Sequence, residues 1–526
     1  MPIYLGFDCG TQSLNAIAIE VEGDERRILL DLSLPFDDAL PEYGTRNGVF
    51  IGEDPRVVTS SPLMWAEALD RLMGLVAITL GPALGRVEAI SGSGQQHGSV
   101  YLNVSAATAM EGLDPSLPLV DQIGGIFARE RSPVWMDSST HAECTEITDA
   151  LGGPDAVARL TGSRTFERFT GPQIRKFSRG EPETYARTDR IHVVSSYLAS
   201  LLIGAHAPID RGDGAGMNLM DIAAGDWAPA ALDATAPGLH PKLPPIVDSD
   251  TVVGRLAPIW TERYRFPQAD VVAWTGDNPS SLVGLGVVEP GATAISLGTS
   301  DTLFSLMPAL AVDPSGAAHV FGAPMGGHMS LVCFRNGSLA RERVRDAYGL
   351  DWNAFSAALR ATPPGNGGRI MLPWFEPEIT PLVLEPGVHR FGGLDAADAA
   401  ANVRAVVEAQ MLAMSIHSAW ATPEVTKIHV TGGASRNADI LQVMADVFDA
   451  PVHRIEVTNA ACLGAALRAF HASARKRGRE VSWDETVAGF AEPVGDLVVR
   501  PVPGRAPTYA RLGIELAAHE ASGSAH

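Results

Sequence analysis

Residues 294–306 read AISLGTSDTLFSL: an apolar run, a Gly-Thr-Ser-Asp turn and a second apolar run. A small polar turn between two such runs predicts a tight β-hairpin. Residues 5–19, LGFDCGTQSLNAIAI, repeat the design near the start of the chain. A tight turn presents backbone N–H groups and a hydroxyl at its tip, and both donate to phosphate oxygens. Either hairpin alone reads as an ordinary polar-tipped turn. Two of them, in matching places of a 526-residue chain, point to a duplicated design with one half of a phosphate clamp in each part.

The flanking sequence supports two related α/β lobes. After the first hairpin, 27–34 predicts a third strand, 57–81 has helical spacing, and 86–102 reads as strand, glycine-rich turn, strand. Residues 103–130 read as a surface excursion and 187–204 as a helix. The proline-rich stretch 241–258 has no periodicity, and the domain boundary is placed there, giving 1–252 and 253–510. The second part repeats the order. A strand runs into a turn at 270–278, then come the hairpin, a long helix at 395–420, a strand–Gly-Gly–helix unit at 427–448 and a small-residue helix at 459–472. The Ala-, Gly- and Ser-rich tail beyond 505 reads as frayed.

Composition narrows the partners. With 46% hydrophobic and 19% charged residues the chain is an ordinary globular one, long enough for more than one core. A net charge of −21 argues against nucleic acid, which needs a basic surface. Such a protein still binds a polyanion such as ATP through backbone N–H groups, helix N-termini and a bound cation. Cys9, Cys144, Cys333 and Cys462 are scattered, without a CxxC pair, which predicts no disulfide framework or zinc site and a reducing compartment. The start MPIYLGFDCG has no basic leader, and no uncharged apolar stretch is expected to span a bilayer. A soluble cytoplasmic protein is expected, with no membrane or nucleic-acid partner.

The motifs carry polar chemistry, each with a plainer alternative. Asp8 ends the first strand, where a carboxylate could position Mg²⁺ through water. VTGGASRNADIL (430–441) runs from a strand through two glycines into a helix beginning near Asn437; it either cradles a nucleotide or is a plain strand-to-helix turn. SGSGQQHGSVY (91–101) fails the dinucleotide pattern because residue 97 is histidine, and no P-loop occurs. Gln95, Gln96 and His97 instead suit a polyol or sugar contact, unless His97 is structural. In PIDRGDGAGMNLMDI (208–222), Asp213 lies between glycines and suits a base that takes a hydroxyl proton. A capping role is its alternative, and Asp210 is its rival. Asp277 and Asn278 in TGDNP (275–279) suit hydroxyl contacts or an N-cap.

These stretches, together with SPVWMDSST (132–140), LTGSRTFERFTGPQI (160–174), SLGTSDTLF (296–304) and TGGASRNADILQVMADVFDAPV (431–452), resemble the FGGY carbohydrate kinases, and within them the eukaryote-like xylulose kinases. The matches run from about residue 3 to 472. The resemblance implies two actin-like (ribonuclease-H-like) domains flanking a catalytic cleft that closes against water. Sugar would bind mainly to the N-terminal domain and ATP to the C-terminal one. It implies Asp213 as catalytic base, with Gln96, His97, Arg168, Asp277 and Asn278 at the sugar. Asp8 would lie by the metal and phosphates, with Thr11 in its loop. Gly298 and Thr299 would form the second phosphate hairpin, and Gly432, Gly433, Ala434 and Asn437 the adenosine-side turn. Trp352 in GLDWNAF would lie by the adenine, or in the core.

The chain also departs from the family pattern. Asn15 stands where many relatives carry Lys or Arg in the first hairpin. EPEITP (376–381) replaces a GERTP loop, and WMDSST replaces W-x-D-x-R; the xylulose branch shares the last two. The expected activity is ATP- and Mg²⁺-dependent phosphorylation of D-xylulose to D-xylulose 5-phosphate by a monomer or homodimer. The alternatives are a kinase for another pentulose or polyol, and a non-catalytic actin-like ATP-binding protein.

Overall fold

The computed structural model describes residues 1–23 and 25–523. Its chain forms two compact units. The first comprises Met1–Gly286, Phe321–Gly327 and Thr458–Phe490, and the second Val287–Val320, His328–Val457 and Ala491–His526. The chain therefore passes between units several times, unlike a single boundary near residue 252.

In the first unit the main sheet runs through β1 (Ile3–Cys9), β2 (Ser13–Glu22), β3 (Glu25–Pro35), β4 (Val87–Gly94), β5 (Val252–Arg255) and β6 (Asp270–Val272), in the order β5-β6-β4-β1-β2-β3, and Thr275–Gly276 also pairs with β4. In the second the corresponding strands are β7 (Ala292–Leu297), β8 (Asp301–Leu306), β9 (His328–Phe334), β10 (Lys427–Thr431), β11 (Val452–Ile455) and β12 (Pro493–Val499), in the order β12-β11-β10-β7-β8-β9. Directions match strand for strand. The hairpins β1–β2 and β7–β8 are antiparallel and extend to antiparallel β3 and β9. On the other side β4 and β10 are parallel, then β6 and β11, and β5 and β12 close antiparallel. The duplicated hairpins thus belong to duplicated sheets. Every residue of β1 is buried, as a central strand covered on both faces requires.

The proline-rich stretch supplies β5 inside the first unit rather than a linker, because its Val-Val-Gly-Arg pairs with β6. Seven helices matter here: α1 (Pro62–Leu80), α2 (Val194–Ile203), α3 (Asp277–Gly284), α4 (Ala399–Ser418), α5 (Ala438–Phe448), α6 (Ala460–Lys476) and α7 (Ala506–Gly523). α6 belongs to the first unit despite its place late in the chain. Its small residues allow backbone contact: a Cβ on Gly464 would lie 1.9 Å from the Ser280 carbonyl oxygen of α3, and one on Gly6 of β1 would lie 2.1 Å from that of Cys462. No side chain fits there.

One helix bears on membrane spanning, and three local expectations need correction. Pro62–Arg86 is long and apolar enough by composition to cross a membrane. Its apolar face (Trp65, Leu69, Leu72, Met73, Val76) packs in the first unit's core, as a core helix does. Residues 103–130 are no surface excursion: Met110, Leu119, Ile123 and Ile126 join the same core. The 187–204 stretch begins as a strand, Thr188–Val193, paired with Ser99–Asn103, and turns helical only at α2. The tail forms α7, whose Tyr509, Leu512 and Leu516 are buried beside α4. Tyr509 Oη donates to Glu408 Oε1 at 2.9 Å and accepts from Arg404 Nη2 at 2.6 Å. Residues 524–526 lie outside the described residues.

Candidate active site

In the first unit a short helical turn, Arg211–Ala215, presents Asp213. Asp210 caps this turn: its Oδ1 accepts from Asp213 N at 2.9 Å and its Oδ2 from Ser249 Oγ at 2.5 Å. Both oxygens are engaged and the residue is 0% exposed, so Asp210 serves as the cap of this turn. Asp213 is 2% exposed. Ser195 Oγ, on α2, donates a short hydrogen bond to its Oδ2 and fixes the carboxylate's rotation. Among the described residues no hydrogen bond reaches Oδ1. Burial pushes the Asp213 carboxyl well above the usual carboxylate range, and the neighbouring Asp210 and Asp277 add to this. Ser195 and the buried Arg468 guanidinium oppose the shift. A carboxylate poised this way accepts a proton readily near neutral pH.

Glycines let the surrounding turns meet. Thr275–Gly276 pairs with Ser93–Gly94 at the end of β4. A Cβ on Gly276 would lie 2.3 Å from Gln96 Cγ. Asn278 Nδ2 donates to Gln96 Oε1 at 2.8 Å and to Asp277 Oδ1 at 2.9 Å, so Gln96, Asp277 and Asn278 form one polar cluster. Among the described residues buried Gln96 Nε2 and Thr275 Oγ1 have no hydrogen-bond partner, which suits a polar ligand rather than a packed core. Burial raises Asp277 to about 7, with a further contribution from Asp8.

His97 has φ +72°, a conformation that a non-glycine residue adopts only when its surroundings impose it. Its Nδ1 lies 2.7 Å from the Gly216 carbonyl oxygen and its ring stacks on Phe169 at 4.2 Å. A carbonyl only accepts, so Nδ1 carries the proton and Nε2 is an acceptor. Burial, then Arg168, lowers His97 to about 3, so it is neutral. The Arg168 guanidinium lies over Phe166 and Phe169, at 5.2 and 6.0 Å from their ring centroids.

At the first hairpin, Ser93 Oγ donates to Asp8 Oδ1 at 2.7 Å, and Asn15 stands opposite Asp8 in register. Burial raises Asp8 to about 6 against the hydrogen bonds from Ser93 and Asn15. Thr11 Oγ1 accepts from Trp135 Nε1 at 2.8 Å and keeps its own proton to donate. Among the described residues no group of three or more His, Cys, Asp or Glu could hold a metal ion. One hard carboxylate is a donor set that fits Mg²⁺ carried by phosphates and water.

The second unit gathers the other candidates. Thr299 is exposed at the hairpin tip, and the Gly298 carbonyl accepts from Ser338 N at 2.8 Å. Gly432 has φ +89°, and a Cβ there would lie 2.5 Å from the Leu297 carbonyl oxygen; a Cβ on Gly433 would meet nothing within 4 Å. Gly433, Ala434, Asn437, Trp352, Ser356 and Glu342 line a cavity of about 640 Å³. Trp352 is 40% exposed with the Arg345 guanidinium 4.6 Å from its centroid, so it is not a core aromatic. Asn437 caps α5: Oδ1 accepts from Asp439 N and Ile440 N, and Nδ2 donates to Ser356 Oγ at 2.7 Å. The cavity therefore opens beside a capped helix end.

Sequence reasoning missed Ser195, Ser249, Arg341 and Arg468. Arg341 forms a fully buried double hydrogen bond with Asp301 beneath the second hairpin. The available signal for Arg468 was a lone cation inside the small-residue run AALRAF, since buried arginine is rare without partners. Glu378 of EPEITP accepts from Arg335 N and Asn336 N and braces a loop.

Two sheets of one strand order, each opened by a Gly-Thr hairpin, define a duplicated actin-like (ribonuclease-H-like) fold. Residues 130–284 match the N-terminal domain, and 293–473 the C-terminal domain, of the FGGY family of carbohydrate kinases. The chain belongs to that family and is a sugar kinase. It is 43% identical over 523 residues to a Mus musculus protein named xylulose kinase, covering 97% of this chain and 92% of that one. Its fold resembles a crystal structure titled as a xyloylose kinase from Brucella ovis (TM-score 0.79, 22% identity, 99% of both chains). It resembles equally a gluconate kinase from Lactobacillus acidophilus (TM-score 0.81, 17% identity, 100% and 98%). At such identities the likeness speaks for the fold and not for the sugar.

Proposed function

We propose that this chain transfers the γ-phosphoryl group of ATP to the C5 hydroxyl of D-xylulose, giving D-xylulose 5-phosphate and ADP. The observation that carries the choice of sugar is the 43% identity to the mouse xylulose kinase over 97% of the chain. The polar cluster around Asp213 supports the chemistry. Asp213 orients the hydroxyl and takes its proton as the O–P bond forms. His97 Nε2 accepts from one sugar hydroxyl and Gln96 Nε2 donates to another, with Arg168, Asp277 and Asn278 around them. A Cβ-free approach at Gly433 and the face of Trp352 suit the nucleoside of ATP. Thr11 on the first hairpin, and Gly298 and Thr299 on the second, offer donors to phosphate oxygens. Mg²⁺, held by Asp8 through water, would offset charge between the β- and γ-phosphates. The four cysteines are all free, which supports a reducing, cytoplasmic setting.

The test is Mg²⁺-dependent ADP release by purified protein across D-xylulose, L-xylulose, D-ribulose, D-gluconate, glycerol and no sugar. Clear preference for D-xylulose is expected. Preference for another acceptor would overturn the assigned sugar, and sugar-independent ADP release would overturn the kinase reading.

A further inference from the structure

Arg468 is the one arginine on the inner face of α6, and it is 0% exposed. Among the described residues its guanidinium makes no ion pair. Nη1 donates to the carbonyl oxygens of Ala273 (2.7 Å) and Ser249 (3.2 Å), and Nη2 to that of Gly92. Gly92 lies in β4 and Ala273 directly after β6, on the segments that lead to Gln96 and Asp277, while Ser249 lies in the segment before β5. Burying a cation on three carbonyls is an expensive way to join strand ends, since apolar packing would serve.

The bonds continue beyond Ser249. Its carbonyl accepts from Arg468, and its hydroxyl donates to Asp210 Oδ2. Asp210 Oδ1 in turn accepts from Asp213 N. One continuous chain, Arg468–Ser249–Asp210–Asp213, thus ties α6 to the turn that presents Asp213. We propose that Arg468 is a positioning residue for Asp213, acting through Ser249 and Asp210, and that its positive charge keeps this paired-carboxylate turn usable as a base. The proposal rests on Asp213 being that base.

Electrostatics agree. The groups that reach Asp213 are Asp210 on the same turn, Asp277 at the start of α3 and Arg468 on α6. Those that reach Arg468 are Asp210, Asp213 and Asp250. Arg468 is the only positive member among them. Burial lowers it to about 10, so it stays charged wherever the enzyme works. Its removal would take from these buried carboxylates the positive charge that opposes their mutual repulsion.

Three variants test this: Arg468→Gln, Arg468→Lys and Ser249→Ala, with Asp213→Asn in parallel, each checked for fold by circular dichroism. Arg468→Gln should move the acid limb of the kcat profile to higher pH by roughly half a unit or more, since one charge is lost from the site. Arg468→Lys should keep the limb near its wild-type position while lowering kcat about 10-fold through misplacement. Ser249→Ala keeps the charge and cuts the chain of bonds. It should lower kcat with little change in the KM for ATP, and it stands in if Arg468→Gln does not fold. Inactive Asp213→Asn together with unmoved kcat and acid limb in the arginine and serine variants would overturn this inference alone. An active Asp213→Asn would overturn the reading beneath it.

Discussion

Replacing Asp8 with Asn should stabilise the protein while impairing it. Asp8 is 8% exposed, and burial holds its carboxyl near 6 instead of 3.8. The folded state therefore retains a proton that the unfolded state has released. A raised carboxyl contributes no penalty below about pH 3.8, and stability is lost as pH rises through about 6. Ionised in both states, Asp8 costs the fold about 3 kcal/mol, of which about half is felt at pH 5. Asn keeps the shape and can still accept from Ser93 Oγ, so it removes the charge alone. The assay is amide hydrogen exchange of the β1–β2 segment, wild type against Asp8→Asn, at pH 5 and 7.5 without divalent cations. The segment reports the first unit even if the two units unfold separately. The variant's protection should exceed wild type at both values, with the larger margin at pH 7.5, and its sugar-kinase turnover should fall. A variant less protected than wild type, or one whose advantage is the same at both pH values, would refute the reasoning.

Other expectations concern the base and the glycines. The kcat of wild type should fall on the acid side as Asp213 takes up a proton, with the midpoint above the usual carboxylate range, because burial and Asp210 raise it; a limb near pH 4 in steady-state kinetics would contradict this. Gly464→Ala should unfold or aggregate the protein, since its Cβ would lie 1.9 Å from a backbone oxygen that cannot move away alone. Gly433→Ala should leave the melting temperature within a degree or two, because its Cβ would meet open space, and should weaken ATP binding by calorimetry.

What was legible in the sequence was local. Each Gly-Thr hairpin carries its own turn and flanking apolar runs within about fifteen residues, so both were readable, and so was the duplication. Asp213 could be singled out because glycines flank it, but its distinction from Asp210 could not. That distinction lies in Ser249, whose hydroxyl occupies Asp210 Oδ2 from 39 residues away. The unit boundary was hidden for a similar reason: α6 packs on β1 and α3 through Gly464 and Gly6, contacts that no window of sequence contains. Composition misled at the tail. Its Ala, Gly and Ser content suggested fraying, yet Tyr509, Leu512 and Leu516 recur at helical spacing and are all buried. Arg468 was overlooked because small neighbours suggested only close packing. In the structure its guanidinium donates to the carbonyl oxygens of Gly92, Ser249 and Ala273, none of them near it in sequence.

The most direct test of the central claim is the initial rate of D-xylulose 5-phosphate formation by wild type and Asp213→Asn, with ATP binding to each measured by calorimetry. The account predicts ready formation by wild type, a loss of about 10²–10⁴-fold in the variant, and ATP binding of similar affinity in both. Near-wild-type formation by Asp213→Asn would contradict it.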